Sequence, residues 1–320
     1  MTRVTALAWS AVLAAAASIA FTDLTLSGAD ATFFHHAGDV LVSGRWLHTY
    51  ADPAVQAGPF ELGPFGLLPL GLASIVLQVL GTWALVATVA RLLRGRGLPA
   101  HWIVLGVGFA ALVLDLPHSA VVSGHSAQLF VPLLWLLAGM DARDGRLGRA
   151  AVLVALSAGF ETWGVLGVCV FALAPRVRPA AIAAGAALAG AALLYLPFVL
   201  GGDFRMLDYA WTVNGGTLAS LVLGPGASFP WSFRVLQAAA ALAAGAGVAL
   251  ALRHTTHALA ASLATLVAVR LALDPVSYSW YWVAFQTLVL AAVAELATSP
   301  RGRALAARSR RRARVPITHP

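Results

Sequence analysis

The chain has 320 residues, 60% hydrophobic and only 11% charged, with a mean hydropathy of +0.82; soluble domains carry about a quarter charged residues, so that class is excluded. The net charge is +8, yet every basic residue is arginine, which excludes lysine Schiff-base chemistry, and the arginines sit in short joints between apolar runs, where lipid and not nucleic acid is the expected partner. The lone cysteine, Cys169, can form no internal disulfide and reads as a small core residue.

Apolar runs fall near 5–22, 64–90, 102–117, 126–140, 150–174, 178–200, 233–252, 255–273 and 279–297. Runs of about 20 residues cross a bilayer as helices, because the backbone must satisfy its own hydrogen bonds in lipid. The first run follows Arg3 and looks like a signal peptide. Its end, AAAASIAFTDL, lacks a convincing cleavage site, so a retained span is expected. Arginine- and alanine-rich usage points to a GC-rich bacterium and its plasma membrane.

Orientation follows from the joints. RLLRGRG (91–97), DARDGRLGR (141–149), PRVRP (175–179), RHTTH (253–257) and the tail from 301 carry most of the arginines, which places them in the cytoplasm. Arg45, Arg205, Arg234 and Arg270 remain on or near the other face. The run 150–174 then begins and ends on one side, with about 25 residues, enough for one span but not two. Two half-length helices meeting at Glu161 in GFETWG resolve this; the alternative is one full span with PRVRP misplaced. The expected fold is an all-α integral membrane protein in one domain, 1–300, with about eight full spans plus one broken or re-entrant element. Both termini are cytoplasmic, and residues 301–320 form a basic tail near anionic headgroups.

The outer segments 23–62, 116–128, 201–230 and 273–282 hold Asp30, His35, His36, Asp39, His48, Glu61, His118, His125, Gln128, Asp203, Arg205, Asp208 and Asp274. LPHSAVVSGHSAQ (116–128) reads as a turn. At about 100° per residue, Phe33, Phe34, Ala37, Val40 and Leu41 share one side of a helix, and His35, Asp39 and Ser43 the other. This is an amphipathic interfacial helix with Asp39 toward water. Asp30 at its start is either an N-cap, which lowers a carboxylate's pKa, or a base at the membrane boundary. His35 and His36 are adjacent and cannot chelate one metal from a regular helix, and His118 and His125 lack ligand spacing, so a divalent metal has no support here.

Asp30, then DVLVSGRWLHTY with Ser43-Gly44 and Tyr50, then GPFELGPFGLLPL with Gly63-Pro64-Phe65, resembles the first outer loop of GT-C glycosyltransferases. It looks most like glycosyltransferase family 87, the polyprenyl-phosphate-sugar-dependent mannosyl- and arabinofuranosyltransferases of actinobacteria. GHSAQLF (124–130) corresponds to a Gly-Gln that opens a span in that family. In LDPVSYSWYW, Asp274, Tyr278, Trp280 and Tyr281 replace a Ser, a Trp and two His, and Glu161 stands where relatives often have Lys. The resemblance implies a GT-C-like bundle and inverting transfer from a polyprenyl-phosphate sugar to an envelope glycolipid or glycan. Asp30 would be the base, and Arg205 and Arg270 would hold the donor phosphate. His35, Asp39, Tyr50, Glu61, His125, Gln128, Asp274 and Tyr278 would line the substrate. Arg270 has a second reading as an ion pair with Asp274 four residues on. Tyr50, Trp46, Trp211 and Trp280 are either sugar-stacking or belt aromatics. Two other classes stay open. Glu161 in a broken helix suits a transporter or flippase of a lipid-linked sugar, and the altered motifs suit a non-catalytic envelope-assembly subunit.

Overall fold

The computed structural model describes residues 31–52, 62–67, 74–96 and 98–299. In chain order they form α1 (Ala31–Val42), a 3-10 turn (Trp46–Ala51), α2 (Pro64–Leu67), α3 (Ser74–Leu92), α4 (Ala100–Val113), α5 (Leu116–Val122), α6 (Ala127–Arg143) and α7 (Leu147–Phe160). A 3-10 helix (Thr162–Leu173), α8 (Val177–Gly201), α9 (Leu218–Leu223), α10 (Trp231–Leu252), α11 (Ala258–Ala272) and α12 (Trp282–Ala297) follow. Between α8 and α10 lies a two-stranded hairpin, β1 (Trp211–Thr212) and β2 (Ser228–Phe229), antiparallel with Trp211 opposite Phe229. Helices α8, α10 and the segment Ser279–Ala297 are each long and apolar enough to cross a membrane. Helices α4 and α5 reach that length together, bent by 46°. The chain is an all-α membrane protein by the length and composition of these helices.

The amphipathic helix expected after the first apolar run is present as α1. Ala37 and Val40 are buried, whereas Asp39 and Ser43 are exposed, the two sides that the 3.6-residue period assigns. Residues 116–128 are not the simple turn expected. Leu116–Val122 winds as α5 and buries Leu116, Ala120 and Val121. Asp115 takes the left-handed conformation, φ 53°, which Asp tolerates better than most residues, and Pro117 then sits in α5's first turn, where a missing N–H does no harm. That one residue sets the bend.

The break at Glu161 is present. Helix α7 stops at Phe160, Glu161 is extended (φ −155°, ψ 144°), and a 3-10 helix starts at Thr162. Its neighbours fix its direction. A Cβ on Gly190 would touch Ala155, one on Gly159 would touch Leu194, and the Tyr195 hydroxyl donates to the Ala158 carbonyl at 2.7 Å. Residue numbers therefore rise together along α7 and α8, so the two helices are parallel and Thr162–Leu173 must run back between them. Burial along this segment repeats every three residues: Thr162, Val165 and Val168 are half-buried, while the two rows between them are buried. That is the 3-10 period. It puts Gly164 and Gly167 on one ridge, where Gly164 lies on the Ser157 backbone and Gly167 under the Trp135 ring. Trp135 Nε1 locks the hairpin by donating to the Gly164 carbonyl at 2.8 Å and to Ser157 Oγ at 3.0 Å.

Helix α6 separates two chemically different ends of the bundle. At its C-terminal end, buried Asp141 accepts Arg91 at 2.7 Å and Arg146 at 2.8 Å, and Arg143 donates to the Thr256 carbonyl at 3.4 Å. Three arginine-bearing joints thus meet at one end. At the other end His125 stacks on Trp280, the Asn214 N–H donates to the Pro275 carbonyl at 2.8 Å, and the Arg205 N–H to the Tyr50 carbonyl at 3.2 Å.

Tyr50 is 1% exposed and packs on Phe198, Phe204 and Tyr195. Its hydroxyl donates to the Leu62 carbonyl at 3.0 Å, and burial pushes its pKa well above the ordinary tyrosine value, keeping the donor proton in place. Leu62 in turn bridges to Glu161, so Tyr50 fastens the first loop onto the helix break. Tyr50→Phe leaves that carbonyl without its donor, and an expected loss of about 1–3 kcal/mol is measurable by unfolding in detergent. An unchanged midpoint would mean that another group takes over the bond.

Candidate functional site

The site is built where α10, α11 and the 3-10 segment meet. Helix α10 is apolar apart from exposed Ser232, Arg234 and Gln237, and the last two lie on its buried stripe with Ala241, Gly245 and Ala249. That stripe faces α11, against which Gly245 lets the backbone approach Leu266. Arg270 ends α11, and Asp274 follows just beyond its last turn. The packing brings all four polar residues together. Arg234 Nη1 donates to Asp274 Oδ2 at 2.9 Å and to Gln237 Oε1 at 2.9 Å. Gln237 Nε2 donates to the Arg270 carbonyl at 2.6 Å and to Asp274 Oδ2 at 3.3 Å. The Val276 N–H donates to Asp274 Oδ1 at 3.2 Å. Arg270 lies 3.9 Å from the same carboxylate.

Aromatic rings hold the guanidiniums as well. Arg234 sits 4.1 Å from the Trp211 ring centroid, and Arg270 sits 4.7 Å from Trp163 and 5.8 Å from Tyr281. Cation–π contacts of this kind strengthen where water is excluded. Trp211 belongs to a small separate core with Val213, Ala219 and Phe229, so the β-hairpin covers Arg234.

A cavity of about 210 Å³ opens beside this network. Its wall carries Thr162, Trp163, Val165 and Leu166 from the broken element, Trp231, Arg234, Val235, Gln237 and Ala238 from α10, and Arg270. Val235 is 64% exposed, which puts an apolar rim on the outer surface of the bundle. Two guanidiniums, the Gln237 amide and the Thr162 hydroxyl in a mainly apolar wall suit an anion attached to a hydrophobic chain.

The structure brings together some of the residues expected from sequence and separates others. Arg270 and Asp274 meet as an ion pair, and both border or adjoin the cavity. His125 is buried and stacks on Trp280 at 5.4 Å, and Trp280 stacks on Tyr278 at 4.7 Å, with Tyr281 edge-on to all three. Tyr281 links that row to Arg270. Gln128 is fully buried and donates to both Glu161 carboxylate oxygens, at 3.3 and 3.0 Å. It therefore supports the break from behind.

Arg205 is not at the cavity. Asp203 turns the chain at φ 52°, and Arg205 pairs with it at 3.2 Å with both side chains more than half exposed, a contact worth little. Asp39 faces away into solvent. Tyr50 belongs to the core, and neither residue lines this cavity. Asp30, Glu61 and the side chain of His35 lie outside the described residues. Among the described residues no three of His, Cys, Asp and Glu converge as metal ligands. Arg234 and Gln237 are the site residues that sequence reading passed over. The available signal was an arginine and a glutamine three residues apart on one face of an otherwise apolar run. No known family, curated protein or solved structure matches the chain.

Proposed function

We propose that this protein is an inverting membrane glycosyltransferase that moves a sugar of the mannose or arabinofuranose class from a polyprenyl-phosphate donor to an envelope glycolipid or glycan. The observation that carries this reading is the cavity with Arg234 and Arg270 on an apolar wall. A polyprenyl phosphate needs both halves of that surface at once. Its phosphate takes the guanidinium forks, and its first isoprene units take Trp231, Val235 and Leu166. In transfer, the acceptor hydroxyl gives its proton to a carboxylate, for which Asp30 is the residue implied by family resemblance, while its oxygen attacks the anomeric carbon. The bond from that carbon to the phosphate oxygen breaks, and the phosphate leaves with the electron pair. Arginine charge stabilises it at that moment. The reading places this chemistry at the outer face of a bacterial plasma membrane, in a GT-C-like bundle of about eight spans plus the broken element, with both termini inside.

The test is transfer by purified protein in lipid, with radiolabelled polyprenyl-phosphate mannose or arabinose and a crude envelope acceptor. Transfer from one donor, lost in Asp30→Asn, is the expected result. Arg270→Gln is expected to raise the donor KM on the order of 10- to 100-fold, the equivalent of losing one or two charge-assisted hydrogen bonds, with the acceptor KM unchanged. Equal losses for donor and acceptor would remove Arg270 from the phosphate. A second reading, a transporter or flippase of a lipid-linked sugar, is favoured by buried Glu161 at a helix break, the kind of residue such proteins use near mid-membrane. Lipid flipping in vesicles without transfer, stopped by Glu161→Gln, would select it. Neither activity would leave a non-catalytic assembly subunit.

A further inference from the structure

A second cavity, of about 640 Å³, opens at the arginine-bearing end of the bundle. Its wall comes from the end of α3 and the turn after it (Arg91, Arg94, Arg96), from the junction of α6 and α7 (Arg143, Asp144, Arg146, Arg149), and from Glu295 near the end of α12. This volume lies within the ordinary range of small-ligand sites, roughly 300–1,000 Å³, and exceeds what a lone inorganic anion fills.

The charges inside are unevenly matched. Buried Asp141, behind the wall, takes Arg91 at 2.7 Å, Arg146 at 2.8 Å and Arg149 at 3.5 Å, and exposed Asp144 takes Arg146 as well, so six arginines meet three carboxylates, Asp141, Asp144 and Glu295. The hydrogen bond of Arg146 to that carboxylate raises its pKa further, so it stays charged. Arg94 stands exposed at the rim. Arg143 Nη2 is buried and has no hydrogen-bond partner among the described residues, and the carboxylate of Glu295, a residue 0% exposed, has the Ala260 backbone beside it but no side-chain hydrogen-bond donor among them. The Glu295 ion pair with Arg96 is long, 3.9 Å. Buried polar atoms of this kind are costly unless something satisfies them.

The wall selects the chemistry of the occupant. Arginine forks match phosphate oxygens, and a buried carboxyl matches a hydroxyl donor. No aromatic ring lines the cavity on which a nucleobase could stack; its apolar members are Leu92 and Met140. Residues 300–320 are rich in arginine and contain no Asp or Glu, so their side chains offer the cavity no anion. The cavity also sits at the ends of apolar helices, where basic pockets take phospholipid headgroups. We propose that it binds the phosphodiester headgroup of an anionic, hydroxyl-bearing phospholipid, with Arg94, Arg143 and Arg149 on the phosphate and Glu295 on a headgroup hydroxyl. A soluble glycerol phosphate offers the same two groups.

Thermal unfolding of the full-length protein in detergent, followed by tryptophan fluorescence, tests this. Dihexanoyl-phosphatidylglycerol is expected to raise the midpoint by several degrees, and dihexanoyl-phosphatidylcholine to leave it in place. Arg94→Gln/Arg149→Gln, at two exposed side chains, should keep its starting midpoint and lose the shift. Arg94→Gln alone serves if the double variant folds poorly, and should halve the shift or better. Glu295→Gln should erase the preference for phosphatidylglycerol over dihexanoyl-phosphatidate. An equal shift with glycerol 3-phosphate supports the same site with a soluble source. The proposal is overturned by equal shifts with phosphatidylcholine, by no shift with any phosphate ester, or by a full shift in the arginine variants.

Discussion

Asp274→Ala is expected to lose about 3–5 kcal/mol of stability, the range found when one partner is removed from a buried ion pair. Its carboxylate is 1% exposed and accepts from Arg234, Gln237 and the Val276 N–H, with Arg270 nearby. Without it, two guanidiniums stay in an apolar setting that costs far more for a charge than for a neutral group. In a thermal scan the loss corresponds to roughly 6–10 °C. The companion variant Asp274→Ala/Arg234→Met removes both charges of the shortest pair and should recover part of the loss, because well-packed apolar replacements of buried pairs are often neutral. A shift below about 2 °C in the single variant would show that other groups already satisfy both guanidiniums. The same experiment separates architecture from chemistry: if the double variant recovers stability and not donor binding, the arginine is there for the ligand.

Gly164→Ala is expected to be as damaging, by a different route. The added methyl would overlap the carbonyl and the backbone of Ser157 and Ala158. Backbone cannot swing aside as a flexible side chain can, so the hairpin must open at its tightest point. The Trp135 indole then loses both acceptors, Ser157 Oγ and the Gly164 carbonyl. Overpacking of about 1–3 kcal/mol and a stranded buried donor of similar size together put the loss at about 3 kcal/mol or more. Gly185→Ala is the control. Gly185 lies inside α8, where a new Cβ meets nothing within 4 Å, and the change should stabilise by roughly 0.5–1 kcal/mol. Comparable losses at both glycines would show that the cost does not come from the hairpin contact.

The helices were legible in the sequence because apolar runs near 20 residues leave few alternatives in lipid. The break at Glu161 was legible too, from the conflict between the arginines at 141–149 and 175–179 and the single run between them. The 3-10 winding after the break was not read, although Gly164 and Gly167 stand three apart in TWGVLG, the spacing that aligns them on a 3-10 ridge. Residues 116–128 read as a turn, while the structure starts a new helix, α5, directly after a left-handed Asp115. At the cavity, the Arg270–Asp274 pair was visible as a local i,i+4 spacing. Its stronger partner, Arg234, is 40 residues away in sequence, and no local pattern announces a contact made by packing α10 on α11. Tyr50 illustrates the opposite failure. An outer-face aromatic suggested sugar stacking, yet whether such a ring faces a ligand or the core depends on Phe198, Tyr195 and Phe204, which arrive from α8 and its exit.

The 3-10 form of Thr162–Leu173 has a consequence for depth. The 14 residues of α7 climb about 21 Å at 1.5 Å each. The 12 residues of the return descend about 24 Å at the 3-10 rise of 2.0 Å, but would descend only about 18 Å if wound as α. An α-helical return would stop short of the level where α7 began and would leave exposed Arg176 and Arg178 partway up the bundle. The tighter winding, with its poorer hydrogen bonds, brings the chain back to its starting height. Helix α8 can then begin its 25-residue climb beside the first turn of α7.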